Sequence, residues 1–272
     1  MKRIDFKTAT LLFFLLLLTF NLAHRFICPS ATGLPGCLYH HAWTVYGGLI
    51  ALYLISSFLL SFYPCSRFHS RNIICRGNEE GPWVSITFDD GPDAVFTPQI
   101  LDILKKYQVP ATFFIMGKQI AGNEKLIERI HQEGHELGNH SFDHSNLWDF
   151  RLPGSMYNDI CRTEALLEQI IHKKTGFFRP PYGVINPMVE SAIHRTHYRM
   201  ITWSIRSFDT LVSDEDKLLH RVTDHLRQGD IILLHDNRKI TAALLEKIII
   251  TIQEKGFCLV PLSRLINIPT YV

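Results

Sequence analysis

The stretch WVSITFDDGP, residues 83–92, decides the fold of this 272-residue chain. Its apolar run stops at two adjacent carboxylates, Asp89 and Asp90, and a Gly-Pro turn, a pattern typical of a buried strand that ends there. In α/β folds, functional groups collect at the C-terminal ends of strands. Because side chains alternate along a strand, neighbouring aspartates share a direction only where the strand has ended, so we expect two different roles for them. A solvated Asp-Asp-Gly turn is the alternative that these residues leave open.

The sequence from residue 82 onward alternates between short apolar runs and helix-like segments. Strands are predicted at 83–88, 111–116, 136–139, 176–179, 197–205, 230–234 and 257–262. Helices are predicted at 94–107, 122–133, 156–173, 187–194, 214–227 and 240–254. Alternation of this kind implies parallel strands joined by right-handed crossovers. It favours a barrel-like parallel sheet in a single domain, and an open doubly wound sheet is the alternative.

The composition excludes several classes of protein. A net charge of +2 without a basic run, and 46% hydrophobic residues, argue against a disordered chain and against nucleic-acid binding. No glycine pattern of a dinucleotide fold or a P-loop follows the first strand, so no nucleotide cofactor is expected. The cysteines, at positions 28, 37, 65, 75, 161 and 258, include no CxxC pair and predict neither a zinc knuckle nor a dense disulfide framework. Cys28 and Cys37 either pair in an oxidising compartment or remain free thiols.

Residues 1–64 are predicted to form a membrane anchor with two apolar segments. Residues 9–23 are uncharged and follow basic residues, as is typical of a signal-peptide core or a short membrane helix. Residues 42–63 are long enough for the ~20 residues of a membrane-spanning helix and carry aromatic residues near both ends. A buried helix of a soluble protein is the alternative for this second segment. Residues 24–41 are predicted to be a loop, and residues 65–81 a linker.

The charges that flank these segments predict an integral protein of the inner or plasma membrane. Lys2, Arg3 and Lys7 precede the first segment, Arg67, Arg71 and Arg76 follow the second, and the loop between them carries only Arg25. Basic residues favour the cytoplasmic side, so the charge bias places both ends inside the cell if both segments span. The following domain faces outward only if one segment does not span.

The third predicted strand runs into the sequence HSFDH. Its two histidines, His140 and His144, are four residues apart, so in a helical turn both imidazoles share one face and bind one metal ion. His131 and His135 have the same spacing but belong to a helical segment and its glycine stop, and we interpret them as structural. With Asp90 at another strand end, the two imidazoles leave an open position, which is typical of a catalytic metal site.

Three more strand ends carry polar side chains. The fourth strand ends in FRPPYG, where two prolines stiffen the loop that holds Arg179 and Tyr182. The fifth strand contains Trp203 and leads to Asp209, and the sixth ends in LLHD with His235 at its tip. A plain turn with a solvated arginine and a structural histidine are the alternatives. Strand ends that carry Asp, His, Arg and His together favour a shared site.

The motifs TFDDGP at 87–92, HSFDH at 140–144, RPPYG at 179–183 and LLHD at 233–236 stand in this order along the chain. They resemble the first, second, third and fifth motifs of the NodB-homology polysaccharide deacetylases, carbohydrate esterase family 4. The resemblance covers residues 82–264. It implies a distorted (β/α)7 barrel with the site at the strand C-termini, here preceded by two N-terminal transmembrane segments.

The resemblance also implies a role for each site residue. Asp90, His140 and His144 would bind a divalent ion, usually Zn²⁺ and sometimes Co²⁺ or Ni²⁺. Asp89 would be the general base and His235 the general acid, with Arg179 orienting Asp89 and the backbone N–H of Tyr182 holding the oxyanion. Asp209 would orient His235, although the family usually has Asp-Trp where this chain has Asp209-Thr210. Trp203 and Leu233 would line the pocket for the acyl methyl group.

Three functions follow. The first is a metal-dependent hydrolase that removes N-acetyl groups from amino sugars in a polysaccharide or glycan. The second is a deacylase or deformylase of a polyprenyl-phosphate-linked sugar at the membrane, with membrane lipid as a partner. The third is a non-catalytic sugar-binding protein, which predicts the loss of a catalytic residue, yet every catalytic residue is present. The sequence leaves the sugar and the native metal open.

Overall fold

A curled parallel sheet organises the residues that the computed structural model describes, which are 6–27, 35–78 and 80–272. Its nine strands in these residues are β1 (Ile73–Ile74), β2 (Trp83–Asp89), β3 (Thr112–Ile115), β4 (Glu136–Asn139), β5 (Phe177–Phe178), β6 (Arg199–Ile201), β7 (Ile205–Arg206), β8 (Ile231–His235) and β9 (Cys258–Leu259). The strand order is β1-β6-β5-β4-β3-β2-β8-β7, and β9 pairs with the start of β2. The predicted parallel α/β class is therefore confirmed.

Helices precede, connect and follow these strands. They are α1 (Phe6–Ile27), α2 (Pro35–Ser61), α3 (Phe96–Tyr107), α4 (Glu124–Gln132), α5 (Pro153–Ile171), α6 (Pro187–Ile193), α7 (Glu215–Thr223), α8 (Lys239–Glu254) and α9 (Leu262–Ile266). One-turn 3₁₀ helices occur at Gly117–Gln119, Trp148–Phe150 and Pro181–Gly183. The helix predicted from residue 156 begins earlier because Pro153 suits the first turn of α5.

The sheet curls into a half-barrel because its two edges lie close together. β6 pairs with β5 and β1 near one edge, whereas β7 pairs with β8 at the other edge. Only residues 202–204 connect β6 to β7, a span of about 10–14 Å at the reach of an extended chain. Two residues after β1, Arg76 forms an antiparallel bridge with Asp230, next to β8. The shape agrees with the predicted distorted barrel rather than with an open sheet.

Several sequence-based boundaries were wrong. The strand predicted at 197–205 is broken in two, because the carbonyl groups of Ile201 and Thr202 accept hydrogen bonds from the Arg179 side chain. Part of the predicted linker 65–81 forms β1, which pairs with β6. The strand predicted at 257–262 is only β9, and α9 begins at Leu262.

A buried apolar core supports the strand ends. Ile86 and Phe88 of β2 are fully buried, and the Phe88 ring stacks on that of Phe113 with centroids 4.9 Å apart. Leu101 and Leu104 of α3 belong to the same core. Burying each such side chain stabilises the fold by about 1.5–3 kcal/mol, so the end of β2 is a rigid platform.

The N-terminal helices pack on each other and join the domain directly. The Phe13 and Tyr53 rings stack with centroids 4.7 Å apart, which holds α1 against α2. Thr44–Ser61 of α2 is long and apolar enough to cross a membrane, but one such helix is weak evidence by itself. The apolar stretch of α1, Phe6–Thr19, is shorter. The two transmembrane segments therefore stay a prediction, although the loop predicted at 24–41 is shortened by both helices.

A disulfide between Cys65 and Cys75, with Cα atoms 5.3 Å apart, ties the chain after α2 to the end of β1. The sequence did not predict this bond, because the nine residues between the two cysteines read as a linker and β1 within them was not recognised. Cys28 lies outside the described residues, so the open question of a Cys28–Cys37 pair is not tested. Cys161 and Cys258 are free thiols.

Candidate active site

A buried ion pair lies at the end of β2. Asp89 is the last residue of the strand, and its Oδ1 accepts a 2.6 Å hydrogen bond from Nη1 of Arg179, which is fully buried after β5. The same Nη1 also donates to Thr87 Oγ1 at 2.8 Å. Burial raises the pKa of the Asp89 carboxyl above its usual value, while the charge of Arg179 opposes that rise. The pair therefore fixes an oriented carboxylate that is more basic than an exposed aspartate.

Asp90 points into a different environment from that of Asp89. The strand has ended, and Asp90 adopts the left-handed region with a φ of 73°. Its Oδ1 lies 3.6 Å from Nε2 of His140 and 3.6 Å from Nε2 of His144. This oxygen is buried and has no hydrogen-bond partner among the described residues. One carboxylate oxygen and two imidazole nitrogens thus face each other, with ligand atoms that all lie within 4.8 Å of one another.

The two histidines meet through a loop and not through the predicted helical turn. Ser141 and His144 both adopt a positive φ, at 67° and 48°. The side chain of Asn139 accepts a hydrogen bond from Ser141 N at 2.9 Å, and Asp159 accepts one from Phe142 N at 2.7 Å. These bonds fix a loop that aims both imidazoles at Asp90. The predicted spacing was informative, but the predicted local structure was wrong.

The protonation state of His140 suits a metal ligand. Its Nδ1 lies 2.7 Å from the backbone carbonyl oxygen of Arg179, so Nδ1 carries the proton and Nε2 turns its lone pair toward Asp90. Burial lowers the pKa of His140 to about 3, which keeps the ring neutral near pH 7. By contrast, His135 Nδ1 accepts a hydrogen bond from the Ala111 backbone N–H at 3.3 Å, in agreement with its interpretation as a structural residue.

His235 stands at the end of β8, held by Asp209. Its Nδ1 lies 2.6 Å from Asp209 Oδ1, and Asp209 Oδ2 accepts bonds from the His235 backbone N–H at 2.7 Å and from Thr241 Oγ1 at 2.6 Å. Burial lowers the pKa of His235, but the hydrogen bond and charge of Asp209 outweigh burial and raise it above the usual value. The free Nε2 lies 4.0 Å from Asp90 Oδ2. Asp209 thus holds the imidazole toward the cluster and favours its protonated form.

The loop after β5 forms another wall of the site. Tyr182 has a φ of 57°, and its ring packs against His144 with centroids 4.6 Å apart. A β-carbon on Gly183, whose φ is +68°, would lie 2.2 Å from the Trp203 ring, so only glycine lets the loop rest on this buried tryptophan. Leu233 is buried two residues before His235, so the two side chains leave β8 on the same face.

Sequence reasoning missed Asp236 as a member of the same region. Its side chain is buried and accepts a 2.7 Å hydrogen bond from Thr97 Oγ1. Burial raises its pKa to about 7. A β-carbon on Gly91 would lie 2.0 Å from Asp236 Oδ2, which explains the glycine after the two aspartates. The signal in the sequence was the acidic residue that directly follows His235 in the LLHD motif.

Known proteins share this fold and these motifs. Residues 76–201 match the family model described as polysaccharide deacetylase. A peptidoglycan-N-acetylglucosamine deacetylase of Bacillus cereus is 36% identical over 192 residues, which is 68% of this chain and 88% of the relative. The peptidoglycan-N-acetylglucosamine deacetylase PgdA of Listeria monocytogenes is 34% identical over 186 residues, 67% of this chain but only 38% of the longer relative.

Solved structures agree with the sequence relatives. The crystal structure of the Bc1960 peptidoglycan N-acetylglucosamine deacetylase, in complex with a naphthalenyl N-oxidanyl-benzamide, superposes with a TM-score of 0.67 at 31% identity. The match covers 73% of this chain and 94% of that one. The chain therefore belongs to the polysaccharide deacetylase family, carbohydrate esterase family 4, as its motifs predicted, and it is a hydrolase of linear amide C–N bonds.

Proposed function

We propose that this protein is a divalent-metal-dependent deacetylase that removes N-acetyl groups from amino sugars of a cell-wall glycan. One observation carries the proposal. Asp90, His140 and His144 lie together, next to the Asp89–Arg179 ion pair and the His235–Asp209 pair. Asp89 Oδ2 lies 3.7 Å from His140 Nε2, and His235 Nε2 lies 4.0 Å from Asp90 Oδ2, so both side chains adjoin the cluster. Relatives named for action on N-acetylglucosamine in peptidoglycan support the substrate class.

The donor set fits a divalent metal ion. One carboxylate and two imidazoles are a ligand set of the kind that Zn²⁺ and Co²⁺ accept, and three protein ligands leave room for substrate and water. The buried, unpartnered Oδ1 of Asp90 is explained by such an ion. When bound, the ion would polarise the acyl carbonyl and make a water molecule more acidic.

Amide hydrolysis needs a base, and Asp89 is placed for this role. An amide is a poor electrophile, so the attacking water must lose a proton as it adds to the carbonyl carbon. The Asp89 carboxylate accepts that proton, and burial makes it a stronger base than a solvated aspartate. Arg179 keeps the carboxylate in one orientation through the 2.6 Å bond to Oδ1, which leaves Oδ2 for the water.

The leaving amine needs a proton, and His235 is placed to give it. Its Nε2 faces the cluster while Nδ1 is bound to Asp209, so the proton leaves from Nε2. The backbone N–H of Tyr182 is proposed to donate to the oxyanion of the tetrahedral intermediate, and such a donor is worth ~3–4 kcal/mol in comparable sites. Trp203 and Leu233 are proposed to enclose the acyl methyl group.

Asp209→Asn is expected to shift the alkaline limb of the pH–kcat/KM profile to lower pH. Activity requires protonated His235 and falls as the pH rises through its pKa, which Asp209 raises. Removing this charge lowers that pKa, so the limb moves to lower pH by about one to three units. Steady-state kinetics across pH measure the shift. The exposed Asp216 gives a matched control, Asp216→Asn, whose profile should not move, and an unmoved limb in Asp209→Asn would remove His235 from the role of acid.

A side-by-side deacylation assay tests the proposed function. The full-length protein, loaded with Zn²⁺, is incubated with peptidoglycan, chitin oligomers and polyprenyl-phosphate-linked N-acyl sugars, and released acetate and formate are measured. Acetate from the N-acetylated glycans is the expected result. Formate or acetate from the lipid-linked sugar alone would favour the second predicted function. No release from any substrate by folded, metal-loaded protein would favour the non-catalytic sugar-binding function.

Two observations bear on the side of the membrane at which the site works. The Cys65–Cys75 disulfide is typical of an oxidising compartment, and peptidoglycan lies outside the membrane. The basic residues that flank the helices predict the cytoplasmic side instead. We propose the outer side, because the disulfide joins α2 to β1 within the folded domain and therefore indicates the compartment of that domain. A C-terminal alkaline phosphatase fusion, which is active only outside, tests this, and an inactive fusion would favour the cytoplasmic side.

A further inference from the structure

Three exposed apolar side chains form an apolar lip beside the site. Leu147, Phe150 and Leu152 are 68%, 65% and 76% exposed, and they follow His144 by only a few residues. The one-turn helix Trp148–Phe150 holds them, because Trp148 is buried and its indole N–H donates to Asp159 at 2.9 Å. Folding therefore presents these side chains to the outside on a fixed turn. Large apolar groups clustered in this way mark an interaction surface.

Phe150 of the apolar lip faces the candidate membrane span. A groove of about 210 Å³ separates the two, with α2 on one side and the catalytic loops on the other. Its lining includes Leu54, Phe58 and Phe62 from the helical side, and Phe150, Val184 and Pro187 from the domain. Leu54 lies seven residues before the end of the span, which corresponds to a depth of about 10 Å. Phe150 therefore shares a groove with the last two turns of the apolar helix.

A basic cleft of about 640 Å³ adjoins the same surface. Pro187, at the start of α6, lines both the groove and this cleft. Among the described residues that line the cleft, Lys7 and Arg195 are cations and Glu190 is the one carboxylate. Lys7 belongs to the first turn of α1. In that turn the backbone N–H of Phe6 donates to the carbonyl oxygen of Phe68 at 2.5 Å, and Phe68 follows the end of α2. The positive charge thus lies beside the start of α1 and the end of α2. If these apolar helices lie in a bilayer, this is the level of the lipid phosphates.

We propose that the apolar lip and the basic cleft together rest on a bilayer that contains anionic phospholipid, so that the active site opens along the membrane surface. The lip enters the boundary between headgroups and acyl chains, and the cleft faces the phosphates. Tyr182 joins the lip region to the site, since its hydroxyl donates to Asn146 at 3.1 Å while its ring contacts His144. The consequence for the proposed function, on which this part rests, is that the preferred substrate is an N-acetylated glycan held at the membrane.

Fluorescence quenching tests the position of the lip without relying on activity. Phe150→Trp in the full chain is placed in nanodiscs made with phosphatidylglycerol brominated on the acyl chains, and Ile250→Trp, an exposed site on α8, is the matched control. We expect at least about twice the quenching of the added tryptophan at position 150 relative to 250, and less quenching when phosphatidylcholine replaces phosphatidylglycerol. Equal quenching at the two positions would overturn the proposal. Quenching that does not depend on the headgroup would overturn the role of the basic cleft.

Kinetics then test the consequence for substrate choice. Phe150→Ser with Leu152→Ser is compared with Ile250→Ser with Val272→Ser, which changes two exposed apolar side chains elsewhere. On a soluble chitin oligomer, both double variants should retain kcat/KM within about twofold. On the same oligomer attached to a lipid in the nanodisc, only the lip variant should lose about tenfold, since two apolar contacts with the bilayer are removed. An equal loss on both substrates would mean that the lip supports the site and not membrane contact.

If the lip variant instead kept full activity on both substrates, the membrane-surface substrate would be ruled out. Absence of activity in the parent protein on either oligomer would contradict the proposed function, but the quenching result would still decide where the lip lies.

Discussion

Removal of divalent metal ions by a chelator is expected to abolish deacetylase activity, and Zn²⁺ or Co²⁺ is expected to restore it. The reason is that the ligand atoms of Asp90, His140 and His144 lie within 4.8 Å of one another, beside the proposed base Asp89 and the proposed acid His235. The bound ion would polarise the carbonyl and stabilise the oxyanion, so its removal would take away both effects. Activity and bound metal are measured in the same samples, before and after chelation and after each addition.

A pair of histidine variants provides the control for this metal experiment. His140→Ala should lose bound metal and activity together, whereas His131→Ala, from the pair with the same four-residue spacing, should retain both. His131 Nδ1 lies 3.1 Å from the Tyr271 hydroxyl, and neither residue belongs to the cluster of candidate metal ligands. Full activity in protein that is free of metal would contradict the proposed mechanism. Loss of metal in His131→Ala would show that the site had been placed wrongly.

The second large effect is expected from Asp89→Asn, which should keep the metal but lower turnover by a factor of about 10²–10⁴. Asparagine has nearly the same shape as aspartate but accepts no proton from the attacking water. Asp93→Asn, a change in the same loop, is the matched control, because the amide oxygen keeps the bonds that Asp93 Oδ1 accepts from Val95 N and Phe96 N. This control should stay within a few-fold of the parent protein.

Stability must be measured together with the turnover of Asp89→Asn. Arg179 is fully buried, and a buried charge that loses its partner costs about 3–5 kcal/mol of folding free energy. A thermal unfolding curve shows whether the assay temperature lies below the transition. If Asp89→Asn also lost the bound metal while remaining folded, Asp89 would be a ligand, and the proposed division between the two aspartates would be wrong.

Much of the fold could be predicted because its strands are apolar and end sharply. β2, β4 and β8 are continuous buried runs that stop at polar residues, so each was placed within one residue of its observed bounds. β1 was missed because Ile73-Ile74 is short and its partner, Met200, is more than a hundred residues away. The break between β6 and β7 was missed for a similar reason, since the hydrogen bonds that cause it come from Arg179, which follows β5.

The members of the candidate site were easier to predict than their geometry. Strand ends collect at one edge of a parallel sheet, so motifs far apart in sequence were expected to meet, and the structure brings them together. The spacing of the two histidines could not predict the loop that brings His144 to Asp90. That loop depends on hydrogen bonds to the side chains of Asn139 and Asp159. The place of Asp236 in the site was not predicted, because its burial against Gly91 and Thr97 depends on how β8 lies beside β2.

Arg179 touches more of the barrel than its partnership with Asp89 requires. Its guanidinium binds Thr87 and Asp89 on β2, packs 4.1 Å from the Phe114 ring of β3, and donates to the carbonyl groups of Ile201 and Thr202, where the chain leaves one edge for the other. One side chain therefore both orients Asp89, the proposed base, and joins β2 to the segment between β6 and β7. A relative that has lost the reaction is therefore expected to keep this arginine for the sheet and to have lost Asp89 or a metal ligand instead.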